Sequence, residues 1–303
     1  NNLVPQTLKV LDDKNLLIES QNAKIVDLEK YDMSPAVIIK SDGTTLYITR
    51  DIPAAIDRYT TYKFDKLLYV TDVAQKLHFS QLFKVVELMG NDFAKDMEHI
   101  AYGRFSLPDG KISSRRGKQA VLVDLMEYVA NKAKDVIKDR HFEIENPEDV
   151  ANKVVRAVLN YSVLKVERIK DCVFDPELAF SFEGETAPYM LYTFTRLQSI
   201  LRKYDEIDVG ADYSCLNLEA FEVIKAINDF KSTLKLSLEK RDTSIISKRV
   251  MDLCKMFNKF YTTSKVLDGN PATTKAKVSL VKVLRDTLAV GFKLICVDTL
   301  EEM

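Results

Sequence analysis

Leu67-Leu68-Tyr69-Val70-Thr71-Asp72-Val73-Ala74-Gln75-Lys76-Leu77-His78-Phe79 changes its period halfway along. Leu67 to Val70 is a short apolar run of the kind that forms a buried strand. Beyond it Phe79, Leu82, Phe83, Val86 and Met89 recur at steps of three and four, one apolar helical face, and Gly90 stands where a C-cap would end the helix. A strand running straight into a helix is the repeating unit of an α/β layer. Working outward, Ala36-Val37-Ile38-Ile39, Leu46-Tyr47-Ile48-Thr49 and Ile100-Ala101-Tyr102 read as further strands, with Ser41-Asp42-Gly43-Thr44 as a hairpin turn between the first two. Strands alternating with helices predict parallel pairing.

Past residue 110 the strand signal fades. Val121, Leu125, Tyr128, Val129, Ala133 and Val136 fall at helical spacing within 118–140. Helical patterns then follow over 154–164, 189–204, 218–238, 245–267 and 273–294, punctuated by Pro188, Gly210 and Gly269-Asn270-Pro271. The second half is therefore expected to be an all-α helical bundle. The shift in pattern predicts two domains, 1–140 and 141–303.

Hydrophobic residues make up 46% and charged residues 29% of the 303, the balance of a water-soluble globular protein. No apolar run approaches the length of a membrane span, so no membrane partner is expected and a cytoplasmic location is. Asn1 opens no signal-peptide pattern. The lack of an initiating Met suggests that the chain begins inside a longer product. Cys172, Cys215, Cys254 and Cys296 are far apart and histidines number only 3, so reduced thiols and no protein-bound metal are expected. The net charge of −1 offers no global basic excess for nucleic acid; any such excess has to be local.

Three segments carry chemistry. Gly110-Lys111-Ile112-Ser113-Ser114-Arg115-Arg116-Gly117 places hydroxyls and cations between glycines ahead of a helix, which suits polyphosphate; it equally suits a solvated basic hairpin. Tyr47-Ile48-Thr49-Arg50-Asp51 reaches a predicted strand end. Asp51 there is either an N-cap with Pro53 in the first turn, or a carboxylate able to hold a guanidinium. Gln75, His78 and Phe79 share one helical turn at the next junction, as structural residues or as lining of a pocket. All three segments follow predicted strands, so they can converge at one sheet edge.

The same residues carry a family resemblance. Lys111-Ile112-Ser113-Ser114-Arg115 resembles the Lys-Met-Ser-Lys-Ser signature of class I aminoacyl-tRNA synthetases, in a form similar to the arginyl enzymes' variant. Ser114 stands where the general signature has its second lysine. Ser41 to Asp51, and Gln75 with His78-Phe79, resemble two arginyl-specific segments. Phe180-Ser181-Phe182-Glu183-Gly184-Glu185-Thr186-Ala187-Pro188-Tyr189, running on to Tyr192 and Arg196, resembles the family's anticodon-binding domain, with Ala187 where Gly is usual. Phe260-Tyr261 before Val266-Leu267, and the ending Glu301-Glu302-Met303, resemble the same C-terminal pattern. The resemblance implies a fold: the second half of a class I catalytic domain, a partial Rossmann-like parallel sheet, followed by the helical anticodon-binding domain.

It also implies roles. Tyr47, Asp51 and Gln75 would line the arginine pocket, with Asp51 on the guanidinium. His78 and Phe79 would lie near adenosine. Lys111, Ser113 and Ser114 would be catalytic, and Lys111 and Arg115 would hold the phosphates of ATP, a substrate accompanied by Mg2+. Tyr189, Tyr192, Arg196, Arg202, Tyr261 and Met303 would meet tRNA(Arg). A monomer is expected. No His-x-Gly-His occurs, so the resemblance implies a C-terminal half that is inactive by itself. A non-catalytic tRNA-binding module and an unrelated α/β nucleotide binder are the competing readings.

Overall fold

The structure is a computed structural model that describes residues 3–108, 122–139, 146–205 and 209–302. Packing divides the chain into two units, Asn1–Gly103 and Arg104–Met303.

The first unit opens with helix α1 (Leu3–Asp13), then strands β1 (Ile18–Ser20), β2 (Ala23–Val26) and β3 (Ala36–Ile39), an antiparallel sheet in the order β1-β2-β3. Helix α2 (Tyr47–Tyr62) follows, then β4 (Leu67–Asp72), α3 (Lys76–Leu88) and β5 (Met97–Tyr102). β4 and β5 pair in parallel from Leu67↔Met97 to Asp72↔Tyr102, the crossover being α3. This is the predicted βαβ unit, and the core beneath it gathers Leu11, Ile38, Ile52, Phe79, Leu82 and Val86. Gly90, at φ 84°, ends the α3 turn by donating its N–H to the Glu87 carbonyl at 2.8 Å.

Leu46 to Thr49 departs from its strand reading. The turn at 41–44 forms, with the Gly43 N–H on the Lys40 carbonyl, yet only one bridge, Ile39↔Thr45, follows before α2 begins at Tyr47. Burial explains the change: Ile48, Thr49, Ile52, Pro53 and Ala55 are buried at helical spacing. The Thr49 hydroxyl accepts from the Leu46 N–H at 3.3 Å and donates to the Ile38 carbonyl at 2.5 Å. That long-range bond outweighs the β propensity of Ile48 and Thr49. Asp51 is consequently inside α2 rather than its N-cap, and Pro53 lies within the helix.

The second unit holds β6 (Phe105–Ser106), α4 (Leu122–Asp139), α5 (Pro147–Leu164), β7 (Cys172–Val173), α6 (Pro176–Ala179), α7 (Ala187–Arg202), α8 (Leu218–Asn228), α9 (Phe230–Lys240), α10 (Ser244–Thr263) and α11 (Pro271–Leu294). Asn146, Thr186, Asn217 and Asn270 cap α5, α7, α8 and α11 through their side chains, with Pro in the first turn of α5, α7 and α11. One core runs through the bundle, including Phe194, Phe257, Phe260 and Phe292, and α4 adds Leu125, Val129 and Ala133 to it. The pattern over 218–238 predicts one helix; the structure breaks it at Asp229, whose carbonyl takes the Ser232 hydroxyl at 2.7 Å and the Thr233 N–H at 3.1 Å. Asn228-Asp229 is a weak helix-forming pair, and the break buries Phe230.

Candidate functional site

In the first unit the chemistry collects where β4 gives way to α3. Asp72 caps the turn after the strand, its Oδ1 accepting from the Ala74 N–H at 2.7 Å. Gln75 follows, exposed, as the residue before α3, and His78 and Phe79 lie in the helix's first turn. From α2, Asp51 reaches the same place: Nε2 of His78 is 2.8 Å from Oδ2 of Asp51. With the carboxylate as acceptor, the imidazole proton lies on Nε2.

Behind this pair stands an aromatic wall. The His78 ring meets Phe79 edge-on at 5.1 Å, and Phe79 packs on Tyr69 at 4.8 Å and on His99 at 4.6 Å. His99 Nε2 is 2.9 Å from the Thr71 hydroxyl. Arg58 donates to the Tyr69 hydroxyl at 3.2 Å and lies over its ring. Burial pushes the Tyr69 phenol up, with Arg58 opposing the shift and the Asp51 charge adding to it. Phe79 is thus a core residue, while His78 and Asp51 stay partly open to solvent.

Tyr47, 81% exposed, lies one helical turn before Asp51 and therefore on the same side of α2. The Asp51–His78 bond brings the α2 pair Tyr47 and Asp51 beside the start of α3, where Gln75 sits. Arg58, Tyr69 and His99 complete the cluster; sequence reasoning passed over them because each becomes significant only through packing. Lys111, Ser113, Ser114 and Arg115 lie outside the described residues.

The second unit presents a different surface. Tyr189, Tyr192 and Arg196 lie along α7, facing Asn258 and Tyr261 of α10. The Arg196 guanidinium lies over the Tyr192 ring at 4.8 Å and the Tyr261 ring at 4.9 Å. Asn258 Oδ1 accepts from Arg196 Nη1 at 2.7 Å, and its Nδ2 donates to the Tyr189 hydroxyl at 2.8 Å and the Thr193 hydroxyl at 2.9 Å. Beside this assembly opens a cleft of about 390 Å³ whose charged lining residues are Arg196, Lys203 and Lys265, with Tyr261, Ser199 and Thr262 among its other walls. Every charge there is positive, the local basic excess that a net charge of −1 conceals.

Arg202 points elsewhere. Its guanidinium donates to the Glu301 carbonyl at 3.0 Å and lies 3.5 Å from the Glu302 carboxylate, pinning the C-terminal segment. Met303 lies outside the described residues. Asn258 was missed at the sequence level; its signal is a poor helix former in mid-helix three residues before Tyr261.

Among the described residues, no group of three or more His, Cys, Asp or Glu stands together as metal ligands. All four cysteines are free, and burial pushes the Cys254 thiol up. No described helix is long and apolar enough to cross a membrane.

Two family models match the chain: the catalytic domain of class I tRNA synthetases (R) over residues 1–176, and the DALR anticodon binding domain over 190–303. The arginine–tRNA ligase of Halothermothrix orenii is 42% identical over 308 residues, covering 100% of this chain and 54% of that protein. That of Clostridioides difficile is 40% identical over 300 residues, covering 98% and 53%. The chain thus spans about half the length of the curated relatives it matches. The arginyl-tRNA synthetase of Thermus thermophilus superposes with a TM-score of 0.86 at 21% identity, over 100% of this chain and 58% of that one, and shares its fold. The Plasmodium falciparum structure gives 0.82 at 21% identity, over 100% and 52%.

Proposed function

The chain belongs to the class I arginyl-tRNA synthetases, and on that premise we propose that it supplies the arginine-recognising and anticodon-binding parts of an arginine–tRNA ligase. Such an enzyme joins L-arginine to tRNA(Arg) through an arginyl-adenylate made from ATP. Residues 1–140 are assigned to the catalytic part with its signature loop and connecting helix, and 141–303 to anticodon binding; the break after Gly103 is one of packing.

Asp51 takes the arginine guanidinium. A carboxylate offers planar, paired acceptors that match the guanidinium fork, and Asp51 keeps acceptor capacity beyond the one bond from His78. Tyr47 and Gln75 flank it. His78 stands between the guanidinium seat and the adenosine side, and Phe79 supports it from the core. Lys111, Ser113, Ser114 and Arg115 are assigned to ATP by resemblance: a cation at the phosphates stabilises charge that develops as the arginine carboxylate attacks the α-phosphorus. Mg2+ arrives with ATP. The proposed setting is the cytoplasm, and the proposed state a monomer.

The cleft beside Arg196 takes the anticodon side of tRNA(Arg). Cations meet its phosphates, while Tyr192 and Tyr261, 40% and 39% exposed, offer ring surface to splayed bases. The observation that carries the reading is a cleft whose charged lining residues are all cations, Arg196, Lys203 and Lys265, with Tyr261 in its wall, in a chain of the arginyl family. Filter binding of tRNA(Arg) and of an anticodon-substituted tRNA tests it. Preference for the cognate anticodon supports the reading; equal binding of both removes the anticodon from it.

A further inference from the structure

We propose that Asn258 is the positioning residue of the RNA-facing cleft, acting through Arg196. This rests on the reading of that cleft as an RNA interface and adds to it the element that fixes its central cation.

The primary amide of Asn258 is used at every functional atom that the structure shows bonded. Its NH2 group serves two hydroxyls of α7, those of Tyr189 and Thr193, and its oxygen serves the guanidinium of Arg196. An amide anchored by both N–H groups cannot rotate, so its oxygen is a fixed acceptor. A single acceptor with two rings, Tyr192 and Tyr261, then holds a guanidinium that would otherwise sample many rotamers. Held this way, the Arg196 guanidinium is already engaged by two rings of the protein itself. Its remaining N–H groups lie in its own plane, at a cleft whose other cations are Lys203 and Lys265. In-plane N–H donors suit phosphate oxygens and the acceptor edge of a base, both of which reward a fixed geometry. Asn258 touches no ligand in this account. It removes the ordering cost that Arg196 would incur on binding.

The helix chemistry agrees. Asn is unfavourable in a helix interior unless its side chain finds work. Asn258 sits within α10, half-buried, with three bonds to α7 and none to its own backbone. Phe257 and Phe260 on either side supply the packing between the helices, leaving the amide to set the register of Arg196.

The test is a double-mutant cycle on the full chain, read by fluorescence anisotropy with a labelled tRNA(Arg) anticodon stem-loop, with thermal melts recorded for every variant. Asn258→Ala is expected to weaken binding about tenfold, the scale of one hydrogen bond to a charged group. In the Arg196→Ala background the same substitution is expected to change binding less than about twofold, since nothing remains to position. Equal losses in both backgrounds, or no loss in either, overturn the proposal while leaving the interface in place. If Arg196→Ala itself leaves binding unchanged, the RNA reading of the cleft falls and the proposal falls with it. Should Asn258→Ala fail to fold, Tyr189→Phe replaces it: it removes one anchor of the amide, so a smaller loss that vanishes in the Arg196→Ala background is expected, and a loss of the same size in both backgrounds overturns the proposal.

Discussion

The imidazole Nε2 of His78 stands 2.8 Å from the carboxylate Oδ2 of Asp51, a bond that ties α2 to the first turn of α3 above their shared core. Both side chains remain partly exposed, at 27% and 38%. A pair so open to water adds only about 0–1 kcal/mol to stability. Asp51→Ala is therefore expected to leave the thermal midpoint nearly unchanged while removing arginine recognition. A melt displaced by many degrees would mean that Asp51 is chiefly structural.

Gly291 marks where α11 crosses its neighbours. A Cβ there would lie 2.5 Å from Val250 Cγ2 and 3.5 Å from the Phe230 ring. Val250 is fully buried and cannot swing away. Gly291→Ala is expected to destabilise by about 1–3 kcal/mol, overpacking outweighing the roughly 1 kcal/mol that alanine gains in helix propensity. Urea unfolding measures it, and a gain in stability would show a looser crossing.

Asp268 organises the entry to α11. It accepts from Lys277 Nζ at 2.9 Å, from the Thr273 and Thr274 hydroxyls at 2.8 and 2.9 Å, and from the Asn270 N–H at 3.0 Å. The Lys277 bond first, then those of Thr273, Asn270 and Thr274, hold its carboxyl well below the usual carboxylate range against an opposing desolvation cost. A depressed folded pKa means that the contribution is full above the unfolded value, near pH 4, and is lost as pH falls from there toward the lower folded value. The difference in unfolding free energy between the wild type and Asp268→Asn is expected to shrink as pH is lowered from about 5 to 2. A difference independent of pH would contradict the assignment.

Arg202 already has acidic partners at the C-terminal end. Arg202→Ala is expected to speed hydrogen exchange in residues 298–302 and to leave the salt dependence of RNA binding unchanged. A salt slope reduced by about one would return Arg202 to the RNA contacts that its sequence position suggested.

What could be read in advance follows the range of the forces involved. The βαβ unit from Leu67 to Tyr102 and the long helices of the second unit were legible because their apolar periods are local and long, although α8 and α9 read as one helix. Of the antiparallel sheet, β3 was read as the apolar run Ala36 to Ile39, while β1 and β2 were not, since strands of three or four residues with exposed or mixed faces carry almost no period. Leu46 to Thr49 misled because Ile48 and Thr49 favour strands, while the bond that decides the matter reaches back to Ile38. The site shows the same division. Asp51, His78, Arg196 and Tyr261 stand in recognisable segments. Asn258, Tyr69 and Arg58 acquire meaning only once α10 lies against α7, or α2 against β4. Arg202 lies in the right segment, and its partner is the chain's own C-terminal end.

The most direct measurement is a calorimetric titration of L-arginine and L-citrulline, its neutral isostere, into the chain and into Asp51→Asn. The wild type is expected to prefer arginine by at least about a hundredfold, as when a charge pair is broken in a partly desolvated site, and Asp51→Asn to lose the preference. Equal affinity of the wild type for both ligands, or a preference that survives Asp51→Asn, would contradict it.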